Sequence, residues 1–453
     1  MSVPDWFLQI GNVVLKKPAT KGFEHLPAVC IQAHLDMVCS KNNGTVHDFA
    51  KDPINLRIDG EWLKATGTTL GADDGIGVAA CLAMMEDQSY SHPALECLLT
   101  VDEETTMVGA EKLDSTILRA KYLVNVDSEE ENSICFGCAG GSERLFHIPV
   151  TRSLPEKPHT LLHVTLGGLA GGHSGVQIHE GLGNAVQFMT RMLRRYAAQD
   201  PEFFLLGLEA GTAINTIPRE CSAFVGIPVA HSRQLRDSLQ ATFTEITREY
   251  RVVEKNATLS VKDASQELLH AHEDARPLSH ESSLRVLDFL ASIPHGVLRM
   301  SPDVPGLVET SNCLSIVKLH SEHLAVEVFA RSSSDSQLSM VEETYDSLAR
   351  IAGATVNKST NKFPGWLPEP SSKSLGVVKK VHEELLGVTP KIYAVHAGLE
   401  CGLIKNRYPN MDCVSIGPEI KDAHTPDERL LIASVPRFAT LLKGTLEAFT
   451  KHV

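Results

Sequence analysis

No apolar run in this 453-residue chain approaches the roughly 20 residues needed to cross a bilayer. A basic footprint is lacking too, since 42 Lys and Arg stand against 56 Asp and Glu and leave a net charge of −14. That balance argues against nucleic acid or an anionic membrane as the partner, because both select positive surfaces. The first ten residues, MSVPDWFLQI, have no basic segment followed by a long apolar one and are not expected to act as a signal peptide. Cysteine is present without a pattern. The ten cysteines are scattered, several inside apolar strands (Cys30, Cys97, Cys413), and are expected to be the reduced, buried thiols of a cytoplasmic protein. The single C-x-x-C, Cys135 to Cys138, has no second pair at zinc-finger spacing and is expected to be structural. Internal repeats and low-complexity segments are absent.

With 43% hydrophobic residues and a mean hydropathy of −0.06, a chain this long exceeds one ordinary core, so two domains are expected. An amphipathic strand at 10–15 opens the chain. Segments 28–33 and 122–126 then read as buried strands, and 78–86 as a helix. That alternation predicts an α/β domain with a mostly parallel sheet. From about Gly140 the character changes. Alternating strands at 160–165, 223–229 and 324–329 are interleaved with amphipathic helices at 184–198, 232–251, 279–291 and 337–352, an α+β pattern. The last helix ends at Gly353, a natural C-cap. After Pro364-Gly365 the α/β style returns, with helices at 375–386 and 435–449 and strands at 391–395 and 413–416. The expected organisation is an α/β domain in two pieces, 1–140 and 365–453, interrupted by an inserted α+β domain, 141–364.

Acids and imidazoles gather where the strands end. A strand at 98–101 stops at Asp102-Glu103-Glu104, three adjacent carboxylates whose repulsion calls for water or a cation between them. The strand at 28–33 runs into His34-Leu35-Asp36, and the one at 122–126 into Asp127. Between them, GTTLGADDGIG (67–77) is a glycine-rich turn carrying Asp73 and Asp74 at a helix start. Each has an ordinary explanation by itself: a solvated loop end, a turn residue or, for Asp73, a helix N-cap. Their recurrence strand after strand is what open α/β sheets show at ligand sites. In extended chain His34 and Asp36 face one side, which lets Asp36 hold the imidazole. Glu103 and Glu104 are expected to face opposite sides, one toward a metal and the other toward substrate as a proton acceptor. Near the C-terminus a strand leads to His424, with acids after it. The set offers two histidines and three to four carboxylates, with no cysteine. Two Zn²⁺ against Asp73, Glu104 and Asp127 leave one positive charge for a bridging hydroxide, a balanced dinuclear site. Nitrogen and oxygen ligands do not choose strictly among Zn²⁺, Co²⁺ and Mn²⁺.

The blocks AHLDMVCSKNN (33–43), HDFAKDPI (47–54), GTTLGADDGIG (67–77), GCAGG (137–141), GGHSG (171–175), HAGLECGL (396–403) and SIGPEIKDAHTPDE (415–428) carry a resemblance. In fixed order, and over nearly the whole chain from about residue 10, they closely resemble the aminoacyl-histidine or cytosolic non-specific dipeptidases. That family belongs to the co-catalytic metallopeptidase clan, with the carnosinases and carboxypeptidase G. The resemblance implies a catalytic α/β domain holding two metals, foremost Zn²⁺, and an inserted lid domain that also forms a homodimer. It implies His34, Asp73 and Asp127 around one metal and Asp73, Glu104 and His424 around the other. Asp36 would orient His34, and Glu103 would be the general base. The Asp73–Asp74 peptide is often cis in this clan. His173 would reach the site of the partner subunit, as in dimeric members, and polarise the scissile carbonyl there, and Arg331 would bind the substrate carboxylate. Asn215 would add a polar contact, and Glu400 would meet the free α-amino group of a small-peptide substrate. The family places another helix–strand unit ahead of His34, where this chain has only 1–7. Its close bacterial branch usually has Asn where this chain has Asp74. The metal set is expected to survive both differences. Two readings compete: another hydrolase of the clan, such as an N-acyl amino acid deacylase or carboxypeptidase, and a catalytically silent metal-binding scaffold. Glu103, which mere metal binding does not need, speaks against the second.

Overall fold

The computed structural model describes residues 10–155, 157–264 and 276–451; segment 1–7, and the expectation attached to it, lie outside these. The chain divides into two compact units. One is Met1–Cys138 with Trp366–Val453, the other Ala139–Gly365, beside expected boundaries at 140/141 and 364/365.

In the first unit the strand Val29–His34 is buried at every position, as a central strand covered on both faces must be. It pairs in parallel with Leu95–Thr100 on one side and Tyr122–Asn125 on the other, and Asp412–Ser415 runs parallel to the latter. Val13–Lys17 closes one edge antiparallel to Leu95–Thr100. At the other edge Ser133–Cys138 meets Asp412–Ser415 antiparallel and carries Lys391–Val395 in parallel. The seven-stranded sheet is therefore mixed, with a parallel centre. Because the four central strands run the same way, His34, the turn after Thr100 and Asp127 all emerge at one end. Helix Ala72–Glu86 packs on Val29–His34, and Ser434–Ala448 packs on Lys373–Leu386.

A second, four-stranded antiparallel sheet joins Ile420–Lys421, Arg429–Leu431, Trp62–Ala65 and Leu56–Asp59. Sequence patterning does not reveal it, because Leu56–Asp59 is exposed at every position and has no buried face to alternate with. A small core of Ala65, Leu70, Ala72, Ile420 and Leu430 ties the turn before Asp73 to a hairpin whose tip carries His424.

The inserted unit is an antiparallel sheet with helices. Its strands run in the order Thr258–Asp263, His159–Gly167, Cys221–Pro228, Phe204–Ala210, Val308–Leu319, His323–Ser332, Gly140–Pro149 and Thr355–Phe363, and Gly296–Met300 pairs with Val308–Leu319. Helix Ser232–Glu249 shows why the helices form. Leu235, Leu239, Thr242, Phe243 and Ile246 recur at helical spacing and are the buried positions. Each fully buried Leu or Ile there contributes about 1.5–3 kcal/mol. Asn184 caps Ala185–Ala197 by accepting from Val186 N at 2.9 Å, and Ser279 caps His280–Ser292 in the same way. All ten cysteines are free and only Cys39 is exposed, so Cys135 and Cys138 are strand residues and not a bridge. Among the described residues no helix is long and apolar enough to cross a membrane.

Candidate metal centre

The glycine-rich turn delivers Asp73. Gly71 has φ +70°, the left-handed region, and a Cβ there would lie 2.7 Å from Met37 Sδ. Asp73 and Asp74 have non-helical torsions and the peptide between them is cis. The N–H groups at a helix start have no intrahelical partners. Here Glu428 takes four consecutive main-chain N–H groups leading into the helix: Oε2 accepts from Leu70 (2.7 Å) and Gly71 (3.0 Å), and Oε1 from Ala72 (2.8 Å) and Asp73 (3.3 Å). Asp73 is thus not spent as a cap, and its side chain is left for other partners.

Those partners are two imidazoles. Asp73 Oδ1 lies 3.0 Å from His34 Nε2, and Oδ2 lies 3.0 Å from His424 Nε2. His34 Nε2 is also 3.3 Å from Asp127 Oδ1, and His424 Nε2 is 3.0 Å from Glu104 Oε2. Two clusters result, His34–Asp73–Asp127 and Asp73–Glu104–His424, each with its ligand atoms within 4.8 Å of one another and both containing Asp73. The five residues singled out in the sequence come together.

The acidic triplet departs from expectation. The strand ends at Thr100, Asp102 adopts φ +61°, and 103–106 form a turn. Asp102 bonds the hydroxyls of Thr105 and Thr106. Glu103 and Glu104 therefore do not diverge as in extended chain, and both come within ligand distance of His34. Asp36 also works differently from a simple imidazole partner. His34 Nδ1 is 3.1 Å from the Asp36 main-chain oxygen and 3.6 Å from its carboxylate. The carboxylate accepts instead from Glu103 N (3.0 Å) and Glu104 N (3.1 Å), fixing the turn that aims both glutamates. Asp74, buried, accepts from His34 N at 3.2 Å. Gly77 makes room for it, since a Cβ there would sit 2.1 Å from Asp74 Oδ1. Sequence reasoning missed Asp74 and Glu428 as site residues, although both stand inside the quoted blocks.

The electrostatics show what the cluster wants. Burial, with the charges of Asp127 and Glu400, pushes the Glu103 carboxyl up to about 9. Burial likewise raises Asp127 to about 6, although His34 opposes it. Burial would lower His34, but Asp127, Asp36 and Asp73 together hold it far above the usual imidazole range. Hydrogen bonds donated to the Asp73 and Glu104 carboxylates lift His424 to about 11. Glu104 Oε1 is buried without a partner. Among the described residues no Lys or Arg pairs with Asp73, Glu103, Glu104 or Asp127. Buried carboxylates offset by only two imidazoles fit divalent cations, and an all-nitrogen-and-oxygen donor set fits Zn²⁺, Co²⁺ or Mn²⁺.

Glu400 starts the helix Glu400–Arg407 and is 2% exposed. Its Oε2 accepts from Thr100 Oγ1 (2.6 Å) and Gln32 Nε2 (2.7 Å), while Oε1 is buried and unpartnered. In the inserted unit His173 lies opposite Thr216 in a two-stranded ribbon, and Ser174 N donates to Asn215 O at 2.8 Å. The Asn215 side chain is on an exposed residue. His173 Nδ1 accepts from Gly175 N and Val176 N, both at 3.1 Å, so the ring proton sits on Nε2. Burial and the charge of Arg331 hold this ring down to about 4, hence neutral at pH 7. Arg331 is 4% exposed, lies 4.5 Å over the Phe329 ring, and its Nε has no partner. Asp200, Glu202 and His231 also converge in this unit, but there Asp200 is engaged by Tyr196 and His231, and Glu202 by Lys157.

Comparison with known proteins bears on this arrangement. The chain is 42% identical over 441 residues to the cytosol non-specific dipeptidase of Escherichia coli K12, covering 97% of this chain and 89% of that protein. Its fold matches the aminoacylhistidine dipeptidase of Vibrio alginolyticus with a TM-score of 0.89 and 39% identity, over 97% of this chain and 88% of that one. The aminopeptidase PepT of Bacillus cereus shares the fold, at a TM-score of 0.52 and 16% identity over 97% and 85% of the two chains. The sequence profile described as peptidase family M20/M25/M40 matches residues 30–448. The chain belongs to that family of peptidases.

Proposed function

We propose that this protein hydrolyses dipeptides with a free N-terminus, Xaa-His among them, using two divalent cations. His34, Asp73 and Asp127 would hold one cation, and Asp73, Glu104 and His424 the other. When bound, such ions supply Lewis acidity that lowers the pKa of a water to about 7 and polarises a carbonyl. Glu103 takes the proton of the attacking water and returns it to the leaving amine. His173, neutral and protonated on Nε2, donates to the oxygen that gains charge, where one well-placed donor is worth about 3–4 kcal/mol. Arg331 binds the substrate carboxylate in bidentate fashion, which its burial and its unpartnered Nε support. Glu400 Oε1 meets the α-ammonium, and Asn215 adds a polar contact. Needing both charged ends restricts substrates to very short peptides.

One observation carries this reading: two ligand clusters share Asp73, with Glu103 in reach of the same imidazole. The names of the two full-length relatives, a cytosol non-specific dipeptidase and an aminoacylhistidine dipeptidase, support the substrate class and a cytoplasmic location. A homodimer formed through the inserted unit belongs to the same reading, and light scattering at micromolar concentration tests it. The decisive experiment is Glu103→Ala. The variant keeps two metals per chain by mass spectrometry and loses turnover of Xaa-His dipeptides by at least about 10²-fold. Turnover equal to the parent's ends the assignment of Glu103. A metal-replete parent that leaves every dipeptide intact, or prefers N-acyl amino acids, ends the dipeptidase reading.

A further inference from the structure

Beneath the ligand cluster lies a row of buried polar side chains that the proposed chemistry does not use. Gln32, Asn125 and Ser415 stand directly opposite one another on three adjacent parallel strands and are 0%, 4% and 2% exposed. Residues i and i+2 of a strand share a face. Gln32 therefore lies one step below His34, and Asn125 one step below Asp127. Amides at the centre of a sheet are costly unless their donors and acceptors are used. Here they are used in series. Ser415 Oγ donates to Asn125 Oδ1, Asn125 Nδ2 to Gln32 Oε1 at 2.7 Å, and Gln32 Nε2 to Glu400 Oε2 at 2.7 Å.

The direction of this row is determined at both ends. Asp127 N donates to Asn125 Oδ1 at 3.3 Å, which sets the Asn125 amide. Glu400 Oε2 accepts from Gln32 and also from Thr100, which sets the Gln32 amide. Both ends demand the same orientation, so every donor points toward Glu400. The carboxylate is thereby held through Oε2 alone, and Oε1 is left buried without a partner.

We propose that Gln32 and Asn125 are positioning residues: their one-way row fixes Glu400 by one oxygen, keeps the other available for an ammonium group, and so sets the selectivity for peptides with a free α-amine over N-blocked ones. This rests on the reading of Glu400 as the amine's partner. The row also ties Glu400 to the strand end that carries Asp127, so the amine's anchor and a metal ligand share one rigid support.

Asn125→Asp tests the direction of the row. The new carboxylate offers Gln32 Oε1 no donor, so the Gln32 amide turns over, and its oxygen then faces Glu400 Oε2, acceptor against acceptor. Adding Glu400→Gln supplies a donor at that point and closes the row with its polarity reversed. Asn125→Asp is expected to lower the melting temperature of the metal-loaded protein. It should also weaken binding of a free-amine dipeptide relative to its N-acetyl form by about tenfold or more, in KM against inhibition constant, with kcat less affected. The double variant should regain most of the melting temperature but not the selectivity, because position 400 no longer offers a carboxylate to the ammonium group. Gln32→Leu, which cannot turn over, should lose selectivity and gain nothing from Glu400→Gln. Additive melting shifts in the double variant would overturn the row. If Glu400→Gln abolishes selectivity while Asn125→Asp, with two metals bound, retains it, the positioning role is overturned. If Glu400→Gln alone leaves selectivity intact, Glu400 is not the amine's partner and the selectivity claim falls with that reading. The melting cycle then still decides the row.

Discussion

Glu428 shows how a residue outside the proposed ligand set governs one inside it. Its two oxygens collect four main-chain N–H groups from Leu70 to Asp73, and it is 2% exposed. Fixing that main chain fixes where the shared carboxylate of Asp73 begins. Glu428→Gln keeps the shape but turns an NH₂ toward N–H groups and leaves donors unmatched. Hydrogen bonds to a charged acceptor contribute about 1.5–3 kcal/mol each, and their loss is partly compensated by relaxation, so a cost of about 2–3 kcal/mol is expected. Loss of such outer support weakens metal binding by about 10–100-fold. Urea unfolding and competition against a chelator read the two effects, and wild-type metal affinity in the variant would remove Glu428 from the centre's support. Nothing local announces this role. Glu428 lies 355 positions from Asp73, and an acid after a histidine looks like any loop residue. The candidate ligands were easier to read, because each stands at or after the end of a patterned strand or in a glycine-rich turn.

Elements with a buried stripe were legible from spacing alone. Helix Ser232–Glu249 starts at its expected residue, and Asp335–Ala352 ends at Gly353 as expected. Strands without an apolar face, such as Leu56–Asp59, and turns decided by one backbone torsion, such as Asp102, were not legible. The backbone at His424 belongs with these: the residue itself was readable as a ligand, but its φ of +66° is set by the loop and not by imidazole preference. That loop is cross-tied by Arg429 to Asp422 at 2.7 Å and by Thr425 Oγ1 to Asp422 O at 2.8 Å. In the inserted unit one histidine couples elements in a pH-dependent way. His295 Nδ1 accepts from Leu314 N at 3.3 Å and faces Asn184 Nδ2 at 3.4 Å, so the N-cap of Ala185–Ala197 and the strand Val308–Leu319 both donate to it. Burial lowers this ring to about 4, against about 6.5 in an unfolded chain. Folding thus favours the neutral ring. Its contribution is present above about pH 6.5 and is lost as pH falls toward 4. The non-titrating His295→Asn should be less stable than the parent at pH 7, and the gap in melting temperature should narrow steadily toward pH 4. A gap independent of pH would show that His295 does not link these elements through its charge state.

At the scale of the whole molecule, stability and metal binding need not be distributed alike. All five proposed ligands and their supports, Asp36, Asp74, Glu428 and the Gln32 row, lie in the unit of Met1–Cys138 and Trp366–Val453. The inserted unit has its own continuous core, including Phe146, Val164, Val225, Leu239, Leu290 and Tyr345, with Phe146 edge-on to Phe289 and Tyr345 at 5.2 and 5.7 Å. A ligand that binds only the folded state stabilises the unit it binds, by about 4 kcal/mol at a free concentration a thousandfold above Kd. Without cations the first unit holds the raised carboxyls of Glu103 and Asp127 and the unpartnered Glu104 oxygen. The inserted unit holds none of these carboxyls, and its buried Arg331, already cationic, gains nothing from a bound cation. Chelation should therefore abolish turnover and separate two calorimetric transitions, lowering one by about 10 °C or more while the other stays in place. Returning Zn²⁺, Co²⁺ or Mn²⁺ should restore both the activity and the upper position of the shifted transition. Two transitions that move together on chelation would mean that the cations stabilise the chain as one cooperative body, and a chelated protein that melts unchanged would mean that the five side chains hold no metal.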